Sequence, residues 1–188
     1  ITPHGTGVIS TAGNWHTNAI ALGAITPSGA FSITTSNDNI SLGTLLGTSN
    51  VTLTSGSGTI TLANIGADGT NVGNLALSSS SAVSAAGNWY LGNISGDEAL
   101  TTTGALTIAA GSVDFANVIM GGNLSITSTS TIDVGTVTGA THNLTLASGA
   151  NGDITIGAVG ANNGAVGTVN ITPHGTGVIS TAGNWHTN

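Results

Sequence analysis

Apolar residues alternate with small polar ones in short segments along the whole chain, as in Asn39-Ile40-Ser41-Leu42 and Asp153-Ile154-Thr155-Ile156. Upstream of such segments lies a second alternating pair: Phe31/Ile33, Val51/Leu53, Leu75/Leu77, Leu106/Ile108, Leu124/Ile126, Leu144/Leu146 and Val169/Ile171. Alternation with period two marks a strand that buries one face and exposes the other. A tetrapeptide of the form apolar, Gly or Ala, small, apolar then closes each unit: LGAI (22–25), LGTL (42–45), LANI (62–65), LGNI (91–94), FANV (115–118), VGTV (134–137) and IGAV (156–159). Two apolar residues three positions apart, instead of two, mean that the strand bends between them. Gly or Ala in second place suits a bend where a larger side chain would crowd its neighbour. Asn and Gly between the strands supply left-handed turn conformations.

Measured from one upstream pair to the next, the units are 20, 24, 31, 18, 20, 25 and 32 residues long, a total of 170. The same number separates residues 1–18, ITPHGTGVISTAGNWHTN, from their unaltered copy at 171–188. The expectation is therefore one period plus the start of the next, cut from a longer array and lacking a signal peptide of its own. The series 20, 25, 32 and 20, 24, 31 indicate an older duplication. The long member of each carries a related element, STAGNWHTNAIALGAI (10–25) and SAAGNWYLGNI (84–94), with Trp15 and Trp89 in register.

A short unit offers five inward apolar residues, such as Phe31, Ile33, Ile40, Leu42 and Leu45. Burying these does not offset the entropy of ordering some twenty backbone residues, so a lone coil cannot be stable. Stacked coils pair every strand on both edges and close a continuous core. Parallel strands joined by crossovers wind right-handed. The predicted fold is thus all-β, a right-handed parallel β-helix (three-sided β-solenoid) with about seven coils per 170-residue period, continuous over residues 1–188.

Composition sharpens this picture. Hydrophobic residues make up 39% and charged residues 4%, the reverse of a disordered chain. Good helix formers are few and β-branched residues many, which disfavours an α fold. There is no Lys or Arg, where roughly twenty would be ordinary. Salt bridges cannot hold such a chain together. A nucleic-acid partner is excluded because phosphate binding runs on basic residues, and attraction to an anionic membrane surface fails for the same reason. No apolar run approaches a membrane span, so no membrane insertion is expected. Cysteine is absent.

The patterns GNLSITSTSTIDVGTV (122–137) and HNLTLASGANGDITIGAV (142–159) resemble the shaft repeats of filamentous haemagglutinin-type, two-partner-secreted bacterial adhesins. The resemblance covers the whole chain. It implies a long right-handed β-helical shaft in an extracellular fibre at the cell surface. The expected partners are further copies of the repeat in the same chain and neighbouring fibres in lateral contact.

The candidate chemistry is sparse, and no catalytic, cofactor-binding or metal site is assigned. Asp114 and Asp133 occupy equivalent outward positions on adjacent coils, about 4.8 Å apart as strand neighbours; they are the one carboxylate pair near glycosidase spacing. Read plainly, they are two solvated acids or a cation site, and no enzyme is expected. His4, His16, His142, His174 and His186 lack metal-site spacing and read as turn residues. Asp38, Asp68, Asp97, Glu98 and Asp153 fall in Gly/Asn-rich segments, where calcium is the one conceivable cofactor and solvated turn acids the simpler reading. N-x-Ser/Thr sequons at Asn39, Asn50, Asn93, Asn123, Asn143 and Asn170 are glycan acceptors in a secreted protein of a glycosylating host, or else turn asparagines. Trp15, Trp89 and Trp185 are expected to cap an enlarged corner of the core, the alternative being an exposed ring for sugar stacking. The outward residues Ser32/Thr34, Thr52/Thr54, Ala76/Ser78, Thr107/Ala109, Ser125/Thr127, Thr145/Ala147 and Asn170/Thr172, if stacked, form one flat hydroxyl face. That face suits lateral packing, ice or polysaccharide, and is the alternative to a purely structural role.

Overall fold

The computed structural model describes residues 9–160 and 164–188. Among these residues there is no helix, and every ladder between named strands is parallel. The paired strands form three columns, here faces A, B and C. Face A runs through Gly13, Phe31, Val51, Leu75, Ile94, Val113, Ile132, Ile154 and Ile179. Face B runs through Ile20, Ile40, Ile60, Val83, Leu100, Val118, Val137, Val159 and Trp185. Face C runs through Ile9, Ile25, Leu45, Ile65, Trp89, Ile108, Ile126, Leu146 and Ile171. The chain visits A, B and C in order, so each circuit is one turn of a three-sided β-solenoid.

Alternation places the apolar member of each pair inward. Ile154 and Ile156 are buried while Thr155 is exposed; Val113 and Phe115 are buried while Asp114 is exposed. The inward residues make one cluster from Leu22 to Val166. Its layers adjust locally. Gly96 lies directly beneath Phe115 and above Leu77, where a methyl would make ordinary contact with both and a larger side chain would meet the ring. The corner tetrapeptides behave as their composition indicates. A Cβ at Gly43 would lie 2.8 Å from the Gly23 carbonyl oxygen, and one at Gly157 2.8 Å from that of Gly135. Both are closer than real Cβ contacts.

The turn count corrects the sequence reading. Ile9 and Ile179 are the same residue of successive periods, yet Ile9 pairs with Ile25 on face C and Ile179 with Ile154 on face A. Between them the chain completes eight turns and advances one further face, so a period spans eight and a third turns rather than seven. The extra length comes from the long units. The 31-residue unit carries the chain from Leu75 on face A to Leu106 on face C of the following turn, which is one and two-thirds turns. With five units of one turn and two of one and two-thirds, the sum is again eight and a third. Motifs and faces therefore slip against each other. The tetrapeptide turns the B-to-C corner at LGAI, LGTL and LANI, the C-to-A corner at LGNI, and the A-to-B corner at FANV, VGTV and IGAV. All three corners accept the same motif because each poses the same requirement, a bend with little side chain on its crowded side.

Candidate functional site

Asp114 and Asp133 are brought together as the spacing predicts. They are direct partners in the parallel register of face A, and both are exposed. Ser95 lies below them and Thr155 above. Like charges directly opposite one another oppose pairing, and the chain has no Lys or Arg to relieve them. The shallow hollow alongside, about 220 Å³, reaches Asp133 and Thr155 but not Asp114. The pair thus lies on an exposed sheet surface.

The single hydroxyl face is corrected by the register. Ser32, Thr52 and Ala76 stack on face A, and that row continues into Ser95, Asp114, Asp133 and Thr155. Thr107, Ser125, Thr145 and Asn170 stack on face C. The slip within the 31-residue unit splits the seven pairs between two sides of the solenoid. The row on face A is interrupted by carboxylates.

The histidines and acids are dispersed. His16 occupies an outward strand position beside Thr34, and His174 ends the strand Val169–His174, so neither is the turn residue expected. His142 lies in the irregular stretch before Leu144, and His186 is exposed beyond the last strand. His4 lies outside the described residues. Asp97 and Glu98 belong to the strand Asn93–Ala110 rather than a turn. Asp68 does sit in a tight turn closed by paired bonds between Ala67 and Thr70. Among the described residues, no three His, Asp or Glu side chains form a group able to hold a metal ion. Nor is any helix long and apolar enough to cross a membrane.

Most of the sequon asparagines have a structural task. The Asn39 side-chain oxygen accepts the Thr59 N–H at 2.9 Å, and Asn50 accepts Asn74 N–H at 2.9 Å. Asn123 accepts Asn143 N–H, and Asn143 in turn accepts Thr168 N–H, each at 2.9 Å. Asn64, Asn117, Asn151 and Asp153 bind the next coil in the same way. Each side-chain oxygen, an amide's or the Asp153 carboxylate's, satisfies a backbone N–H of the next coil.

A second set of polar residues escaped the sequence reading. The third inward position of the upstream strand carries a hydroxyl: Thr35, Ser55, Ser79, Ser128 and Ser148, all buried. Thr35 donates to the Asp38 carbonyl at 2.6 Å, Ser55 to Gly58 at 2.5 Å, Ser128 to Thr131 at 3.1 Å and Ser148 to Gly152 at 2.5 Å. These four hydroxyls close the turns that follow them, whereas Ser79 donates to Gly58 of the preceding coil at 2.8 Å. The signal was present as a Ser or Thr two residues after every pair except Ile108 and Ile171, which precede Ala110 and Pro173.

The tryptophans fill corners. Trp89 is 0% exposed, and its indole N–H donates to the Ala63 carbonyl at 2.6 Å. Trp15 is half-buried with its ring edge-to-face on Phe31, centroids 5.3 Å apart. Trp185 donates to Gly157 at 3.2 Å and remains 37% exposed. The preceding glycines, Gly13, Gly87 and Gly183, have φ of +86°, +90° and +78°, a backbone state that disfavours other residues. No protein-family model matches the chain, and neither does any curated protein or solved structure.

Proposed function

We propose that the chain is a length-setting segment of an extracellular shaft, part of a long fibre or giant adhesin at the cell surface, with a structural and non-catalytic role. The observation that carries the reading is the interchangeability of the three faces. The same tetrapeptide turns all three corners and the alternating strand motifs move from face to face, so sequence has been spent on stacking and not on specialising one side. The unaltered return of residues 1–18 after 170 residues supports it, because a spacer gains length from multiplication while a reaction site gains little. The placement outside the cell rests on the resemblance of 122–137 and 142–159 to haemagglutinin-type shafts.

Binding through a flat Thr/Ser face is the weaker alternative, since the hydroxyl rows are divided between two sides and a lattice match needs one regular surface. The test is immunogold electron microscopy of intact source cells with antibody to the 170-residue period. Labelled filaments projecting from the surface, longer in strains encoding more periods, are expected. Label confined to the cytoplasm would overturn the reading.

A further inference from the structure

We infer that residues 179–188 form one half of an axial joint, whose other half is the Ile25–Thr35 segment of a second copy of the 170-residue period, and that each joined copy is advanced by one face of the solenoid. The inference rests on the shaft reading for its biological use, but its geometry stands apart from it.

The same sequence is seen twice, each time with a different neighbour. Near the N-terminus its upper edge is occupied: Ile9 pairs with Ile25, Gly13 with Phe31, Trp15 with Ile33 and Thr17 with Thr35. Near the C-terminus its lower edge is occupied: Ile179 pairs with Ile154, Trp185 with Val159 and Thr187 with Val166. The two sets use opposite edges of one strand and do not compete. Superposed, they give each of Ile179, Trp185 and Thr187 a neighbour above and below.

The interior of the molecule displays the completed state. Trp89 follows the same Ala-Gly-Asn sequence and lies between Ile65 and Ile108. Its indole donates to Ala63, second residue of its tetrapeptide; Trp185 donates to Gly157, second residue of its own. With both neighbours present Trp89 is fully buried, whereas Trp185 is 37% exposed, beside Val178 at 57% and Ile179 at 40%. A second copy would bring Phe31 and Ile33 onto Trp185, as they already lie on Trp15.

Charge does not oppose the contact. The acids nearest the joint in sequence are Asp38 and Asp153, so residues 9–35 and 154–188 contain none. The phase follows from the same pairs. Trp15 lies on face A and Trp185 on face B, so a third copy beyond the second brings each motif to the last remaining face. The hydroxyl rows and the Asp114/Asp133 pair then wind around the shaft, returning to the same side every third period.

The test is a chain extended by one period, residues 1–170 followed by residues 1–188, with acrylamide quenching of tryptophan emission. The 188-residue chain has two accessible tryptophans of three, Trp15 and Trp185. The joint predicts two of five in the extended chain, because the tryptophan at the junction becomes buried; three of five would overturn it. A cryo-electron microscopy map of a six-period chain reads the phase. The Ala-Gly-Asn-Trp corner should return to one face every third period, and its return every period would overturn the one-face advance. Neither result depends on where the native protein resides, so a failed surface label and a failed joint are separate outcomes.

Discussion

Ile60 and Thr61 are chain neighbours in opposite environments. Ile60 is 0% exposed between Ile40 and Val83, and Thr61 faces solvent between Ser41 and Ser84. Replacing Ile60 with Asp would bury a carboxylate between Ile40 and Val83, in a chain with no Lys or Arg to pair with it. Ile60→Asp is expected to lose more than about 4 kcal/mol, and Thr61→Asp less than about 1 kcal/mol. Urea unfolding of both variants checks this, and equal losses would refute the inward/outward register. Buried hydroxyls show the converse rule. Thr35, Ser55, Ser128 and Ser148 are tolerated inside because each has a carbonyl acceptor three or four residues on.

At the level of strands and turns, coils are tied together by main-chain ladders inside the strands and by asparagines between them. Asn143 links three coils, donating its N–H to Asn123 and accepting that of Thr168. Asn143→Ala leaves the Thr168 donor to solvent alone and should cost about 0.5–1.5 kcal/mol. Asn143→Asp keeps an acceptor oxygen and should cost less. Thermal denaturation of the two variants decides between them; an equally mild alanine would show that water replaces the amide. This ladder also accounts for why sequons recur. The Asn serves the turn, and the Ser or Thr two residues later occupies an outward strand position.

Across the whole molecule, the turn count sets the length. At about 4.8 Å per turn, eight and a third turns advance about 40 Å per period, against about 34 Å for seven. Electron micrographs of chains with two to six periods should lengthen by the larger figure for each period added. An increment near 34 Å would return the count to one turn per unit. With no Lys or Arg, cohesion along that length rests on the apolar core, the ladders and the asparagines, and is expected to vary little with salt.

The inward/outward pattern, the parallel stacking, the corner residues and the 170-residue period were legible in the sequence, because each is a local consequence of alternation, bend geometry or identity. The pairing of Asp114 with Asp133 was legible too, since their units align without a slip between them. The face on which a motif lies was not. The 31-residue unit reads as one coil by its motifs, and only stacking reveals that it makes one and two-thirds turns, pairing Leu75 with Ile94 and Trp89 with Ile108. The hydroxyl row failed for that reason, being drawn from motif equivalence when adjacency is set by turns. Three faces that bury the same kinds of side chain are nearly degenerate in local preference, so the choice among them is made by which coils can close a filled layer, a property of the assembled core.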